Sequence, residues 1–135
     1  MSLETLLEDF ALFDDWEDKY RYIIERGNAL PPLSPSEQIE AHKVRGCASQ
    51  VWLISEREND RLIFRGTSDA HIVRGLIAIL LEIYSGRTAS DILATDANET
   101  FSALGLAAHI SPQRSNGFQA MVQRVRNDAA ALSSD

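Results

Sequence analysis

Cys47 is the only cysteine of the chain and sits in the string Lys43-Val44-Arg45-Gly46-Cys47-Ala48-Ser49-Gln50-Val51-Trp52-Leu53. A lone thiol forms no internal disulfide and builds no multi-thiolate metal site. Sulfur chemistry here proceeds at one atom, with a partner supplying the second sulfur. The thiolate is the reactive form, and a free thiol, with a pKa of about 8.5, is mostly protonated near neutrality. His42, Lys43 and Arg45 stand just upstream, and such cations are expected to favour the thiolate. Gly46 before the cysteine and Ala48-Ser49 after it suit a turn that presents a side chain at a loop tip.

Other chemistries have weaker support. A buried cysteine is commonly an inert small hydrophobe, and packing alone remains an alternative for Cys47. A cysteine hydrolase needs a histidine base, and the chain offers His42, His71 and His109, of which only His42 is near Cys47 in sequence. Sequence order does not exclude a dyad in space. The histidines show no pair at i, i+3 or i+4 and there is no CxxC, so metal ligation is disfavoured. Asp69, at a helix start, reads first as an N-cap. Arg114-Ser115-Asn116-Gly117 reads as a helix entry, and Trp52 as core.

Composition sets the frame. With 135 residues, 44 % of them hydrophobic, the chain fits one compact domain, residues 1–135, with its own core. One cysteine argues against a secreted disulfide scaffold, and no cationic-then-apolar leader is evident, so a cytoplasmic setting is expected. The apolar run around residues 76–81 is too short for a bilayer. A net charge of −7 argues against general nucleic-acid binding. The acidity is concentrated in residues 1–27, with eight acids against three bases, whereas residues 28–66 carry five of each.

The elements that must position Cys47 follow from periodicity and punctuation. A first helix is predicted over Ser2–Ala11, with Ser2 as N-cap and Leu3, Leu6, Leu7 and Phe10 on one face. A second starts at Asp14, where Asp14 and Glu17 have capping-box spacing. It carries Trp16, Tyr20, Ile23 and Ile24 and ends at Gly27 in the left-handed region. Pro31, Pro32 and Pro35 forbid a long element, though Ser36–Glu40 suits one helical turn. Gln50–Glu56 and Arg61–Thr67 alternate as an antiparallel hairpin around Glu58-Asn59-Asp60, which a third strand or covering helices must complete. Ser68 or Asp69 caps a broad apolar helix, with Ile72, Val73, Leu76, Ile77, Leu80 and Leu81 inward and Gly86 at its end. Its width predicts a central position against the hairpin. Short helices are expected over Thr88–Leu93 and Asn98–Leu104. Ser111-Pro112 then opens a long helix to about Leu132 that buries Phe118, Met121, Val122 and Val125, with Gly117 an awkward residue in its early turns. The predicted fold is α+β, a small antiparallel sheet of about three strands packed against helices.

The string Val44–Leu53 resembles the signature of the SufE family of sulfur acceptors, which includes CsdE; Ala48 stands where that family usually has glutamine. Ser68-Asp69-Ala70-His71-Ile72-Val73-Arg74-Gly75-Leu76 is similar to the family's strand-to-helix junction. Leu104-Gly105-Leu106 and Ser111–Phe118 are similar to its C-terminal motif. The likeness spans nearly the whole chain and implies a fold like that of the IscU scaffolds. It further implies that Cys47 accepts sulfur from the persulfide of a cysteine desulfurase of the SufS or CsdA type. That desulfurase gains turnover, and the sulfur passes to a Suf scaffold for iron–sulfur cluster assembly. Pyridoxal phosphate belongs to the desulfurase, and no cofactor is expected on this chain. IscU-type scaffolds hold a cluster with several cysteines, so one cysteine argues for a carrier.

By the same likeness Arg45, Gly46, Gln50, Asp69, Arg114 and Asn116 are expected to support the site or bind the partner. Asp69 and Arg114 are expected to pair beneath the Cys47 loop. Cys47 is expected to be partly shielded, against Trp52 or the apolar end of the third helix, and to turn outward on docking. An exposed hairpin edge leaves monomer and homodimer both open. A non-catalytic interaction module of the same fold is the alternative.

Overall fold

The computed structural model describes residues 3–47 and 49–133. The element order is α1 (Leu3–Leu12), α2 (Trp16–Asn28), a 3-10 turn (Glu40–His42), β1 (Val51–Glu58), β2 (Arg61–Ser68), α3 (His71–Tyr84), β3 (Arg87–Thr88), α4 (Ala89–Ala94), α5 (Ala97–Ala103), a second 3-10 turn (Leu106–Ala108) and α6 (Pro112–Ser133). This is an α+β architecture, as predicted. The antiparallel sheet has the order β1-β2-β3. Val51 pairs with Ser68 and Glu58 with Arg61, so the hairpin turns on Asn59 and Asp60. The third strand is two residues long and pairs Arg61 with Thr88 and Leu62 with Arg87.

α3 is apolar on nearly every side and lies at the centre, packed on β2, α2 and α6. Ile72, Val73, Leu76, Ile77, Leu80 and Ile83 are all buried, while Leu81 is partly exposed. A helix without a polar face is stable only when covered all round. Leu53, Leu62 and Phe64 meet it from the hairpin, Phe118, Met121 and Val125 from α6, and Leu6, Phe10 and Ile23 from α1 and α2, in one contiguous core. Buried Tyr84 accepts from the Ala97 amide (3.2 Å) and donates to the Thr95 carbonyl (2.9 Å), fixing the α4–α5 link to α3.

Several local expectations change. The predicted Ser2 cap lies outside the described residues. α2 is capped by Asp15, which accepts from the Asp18 amide at 2.9 Å, and not by Asp14. Gly27 does not end α2 in the left-handed region but lies buried inside it. A Cβ there would stand 2.4 Å from the Gly75 amide nitrogen, and one on Gly75 would stand 2.4 Å from the Ile23 carbonyl. The two glycines let α2 and α3 touch backbone to backbone. The helical turn expected over Ser36–Glu40 becomes a turn near Pro35–Glu37, with the 3-10 turn at Glu40–His42. Ser111 caps α6 as predicted, accepting from the Arg114 amide at 3.2 Å. No helix among the described residues is long and apolar enough to cross a membrane.

Candidate functional site

Cys47 follows the Arg45-Gly46 turn and precedes β1. Gly46 has φ 92°, backbone space that a side chain strains to enter. The base of the loop is tied on both arms. On the entry arm the Val44 amide donates to the Val51 carbonyl at 2.8 Å, and Lys43 bridges Trp52. Arg124 of α6 donates to the carbonyls of Lys43 (3.3 Å) and Ala41 (3.2 Å). On the exit arm the Gln50 amide donates to Asp69 Oδ1 at 3.0 Å, and the Asp69 amide donates to the Gln50 carbonyl at 3.3 Å. The loop that carries Cys47 is therefore a short flap tied at Val44 and at Gln50.

Asp69 is thus not a helix cap. The α3 N-cap position is Ala70, without a side-chain cap bond, and Ser68 Oγ accepts from the Ala70 amide instead. Asp69 commits its carboxylate to the outgoing arm of the Cys47 loop. It does not pair with Arg114, whose Nη1 donates to the Tyr20 hydroxyl at 3.0 Å. The expected Asp69–Arg114 pair is replaced by two separate ties, one to the flap and one from α6 to α2.

The Cys47 side chain is half-buried and points into a cavity of about 20 Å³. Its walls are Val73 and Leu76 of α3, Gln113, Arg114, Gly117 and Met121 of α6, and Ser49 of the loop. Roughly 10–15 Å³ of such space is enough for one water-sized atom. The thiol donates to the Gly117 carbonyl at 3.5 Å. Shielding comes from the first turns of α3 and from α6, and Trp52 takes no part in the cavity wall.

Burial pushes the Cys47 thiol above its ordinary pKa. The upstream cations do not counter this, contrary to expectation. Lys43 and Arg45 both turn to Glu40, at 4.0 and 3.1 Å, and the His42 ring lies 2.8 Å from the Glu37 carbonyl. Burial thus shelters the resting cysteine and disfavours its thiolate. No histidine lines the cavity: His71 pairs with Arg74 and His109 stacks on Trp16 at 3.9 Å. The hydrolase dyad is therefore not formed. Among the described residues no group of three or more histidine, cysteine, aspartate or glutamate side chains is placed to hold a metal ion.

Of the other expected site residues, Gln50 works through its backbone, and Arg45 is exposed beside an open groove of about 510 Å³ between the loop and α6. Asn116 is exposed on α6 and does not line the cavity. Gly117, Met121, Val73 and Tyr20 belong to the site and were not singled out for it from sequence. Gly117 did carry a signal, as a glycine that its helix does not need.

A family model described as "SufE: Fe-S metabolism associated domain" matches residues 4–129. An uncharacterized SufE-like protein of Rhizobium etli is 53 % identical over 132 residues, covering 95 % of this chain and 89 % of the relative. An uncharacterized SufE-like protein of Rhizobium meliloti is 48 % identical over 132 residues, covering 95 % and 94 %. The fold is similar along both whole chains to the solution structure of a hypothetical protein from Thermus thermophilus, with a TM-score of 0.79. At 19 % identity that likeness shows the fold alone.

Proposed function

The chain belongs to the SufE family, a domain associated with Fe–S metabolism, and we propose that it works there as a sulfur acceptor and carrier through Cys47. The observation that carries this reading is the placement of the one thiol. Cys47 sits on a flap beside a glycine at positive φ, above an apolar cavity with room for about one further atom. A scaffold for a cluster needs several ligands, and a hydrolase needs a base at the thiol. A carrier needs one sulfur atom that can be exposed and then hidden.

The transfer is an exchange at sulfur. The flap opens, Cys47 loses its proton to water, and its thiolate attacks the outer sulfur of a persulfide on the donor. A bond forms between Cys47 Sγ and that sulfur, and the bond to the donor's inner sulfur breaks. The donor cysteine leaves as a thiolate and takes up a proton. Overall one thiol and one persulfide exchange places, with no net oxidation. The donor is a pyridoxal-phosphate cysteine desulfurase of the SufS or CsdA type in the cytoplasm, and the receiver is a cluster-assembly scaffold complex. Leaving the resting thiol neutral and half-buried keeps it from competing thiols until docking opens the flap.

Desulfurase turnover tests the reading. With free cysteine as substrate, adding the protein raises sulfide release in the presence of reductant, and Cys47→Ser abolishes the gain. Equal stimulation by Cys47→Ser would overturn the carrier reading and leave Cys47 with packing only.

A further inference from the structure

Gly117 is a residue that α6 sustains against its own helix propensity. Glycine inside a helix costs about 1 kcal/mol relative to alanine. Two ordinary reasons for it are absent. Its φ is not positive, and no atom crowds it: a Cβ built there would meet nothing closer than Cys47 Sγ at 3.6 Å, then Cys47 Cβ at 3.8 Å and Cα at 3.9 Å. These are ordinary van der Waals contacts. Gly27 and Gly75 differ in kind, because there a Cβ strikes backbone at 2.4 Å. At Gly117 a methyl group fits the resting protein, and the space it would take is the space over the cysteine sulfur.

We propose that Gly117 reserves the seat of the transferred sulfur. The proposal rests on the carrier reading and deepens it. In the loaded protein the outer sulfur of the Cys47 persulfide occupies the cavity of about 20 Å³ that Gly117, Met121, Val73 and Leu76 line with Arg114 at its side. One water-sized atom needs roughly 10–15 Å³ of such space, so the cavity takes one sulfur and little more. With the seat free the flap closes over its cargo, which is then withheld from solvent thiols. With a methyl group at position 117 the unloaded flap still closes, but the loaded flap is propped open. Gly117 is thus a positioning residue for the sulfur-bearing state alone.

The experiment compares Gly117→Ala with the wild type, loaded and unloaded. Both are charged with a cysteine desulfurase and cysteine and freed of enzyme. Dithiothreitol then reduces the persulfide, giving the Cys47 thiol, hydrogen sulfide and the cyclic disulfide of the reagent. Sulfide release is normalised to the sulfur carried at the start. The expected result is release roughly fivefold or more faster from Gly117→Ala, as overpacking a closed site by one methyl implies. Iodoacetamide alkylation of the unloaded thiols serves as reference, with similar rates in both proteins. Thermal unfolding shows Gly117→Ala at least as stable as the wild type. Equal normalised release from the two loaded proteins overturns the proposal. If the desulfurase loads neither protein, the carrier reading fails separately. The seat is then still tested after charging with inorganic polysulfide, whose sulfur is attacked by the Cys47 thiolate with loss of the shortened polysulfide.

Discussion

Asp69→Ala removes one of the two ties on the exit arm of the Cys47 flap. The lost bond is the 3.0 Å acceptance of the Gln50 amide by Oδ1, whereas the Asp69 amide still donates to the Gln50 carbonyl. A hydrogen bond to a charged group contributes about 1.5–3 kcal/mol. Asp69 is exposed, so water takes over much of it, and about 1 kcal/mol is the reasonable loss. That amount changes an opening equilibrium roughly fivefold. Alkylation of Cys47 by dilute iodoacetamide reads the open population, because the closed flap presents a half-buried neutral thiol. Asp69→Ala is therefore expected to react about fivefold faster than the wild type, with the thermal midpoint little changed. Asp69→Asn keeps an acceptor oxygen without the charge and is expected near the wild-type rate. Were the carboxylate acting only by disfavouring the thiolate, both variants would accelerate alike. An unchanged rate in Asp69→Ala would refute the latch.

Gly27→Ala places a methyl against the Gly75 backbone, where neither helix can yield without losing core contacts. Its unfolding free energy in urea should fall by about 3 kcal/mol, the upper end for overpacking, whereas Gly117→Ala, where a Cβ meets nothing closer than 3.6 Å, should not lower it. The pH profile of Cys47 alkylation should have its midpoint above that of an unfolded peptide thiol, because burial favours the neutral form; a midpoint at or below the peptide value contradicts the sheltered thiol. The Arg65 guanidinium beside Glu37 holds that carboxyl down at about 2, from an ordinary 4.5. The stabilisation is full above the unfolded pKa and is lost as pH falls through the folded one. The stability gap between wild type and Glu37→Gln should be constant above about pH 5 and shrink between about pH 4.5 and 2.

Where a residue's reason is local, the sequence was legible. Ser111-Pro112 opens α6 because a cap and an N1 proline satisfy requirements set within four residues. The hairpin alternates because one face meets α3, and α3 reads as central because it is apolar on nearly every side. Where the reason lies across the fold, it was not. Gly27 resembles a helix terminator, but its cause is Gly75, 48 positions on, in another helix. Asp69 has the type and place of an N-cap, and only the approach of the loop exit to the β2–α3 junction gives its carboxylate to Gln50. His42, Lys43 and Arg45 adjoin Cys47 in sequence, yet Glu40 and the Glu37 carbonyl draw them away from the sulfur. Gly117 counted against its own helix until Cys47, 70 residues earlier, is seen to lie over it. The cysteine itself was identifiable from its solitude and its motif, but its shelter is a product of α3 and α6.

The most direct test of the account is the mass of the Cys47 peptide. The protein is incubated with a pyridoxal-phosphate cysteine desulfurase and free cysteine, without reductant, then digested. The expected result is a gain of one sulfur atom on the peptide that contains Cys47, dependent on both desulfurase and cysteine and absent in Cys47→Ser. An unmodified Cys47 peptide, with the desulfurase turning over at its solitary rate, would contradict it.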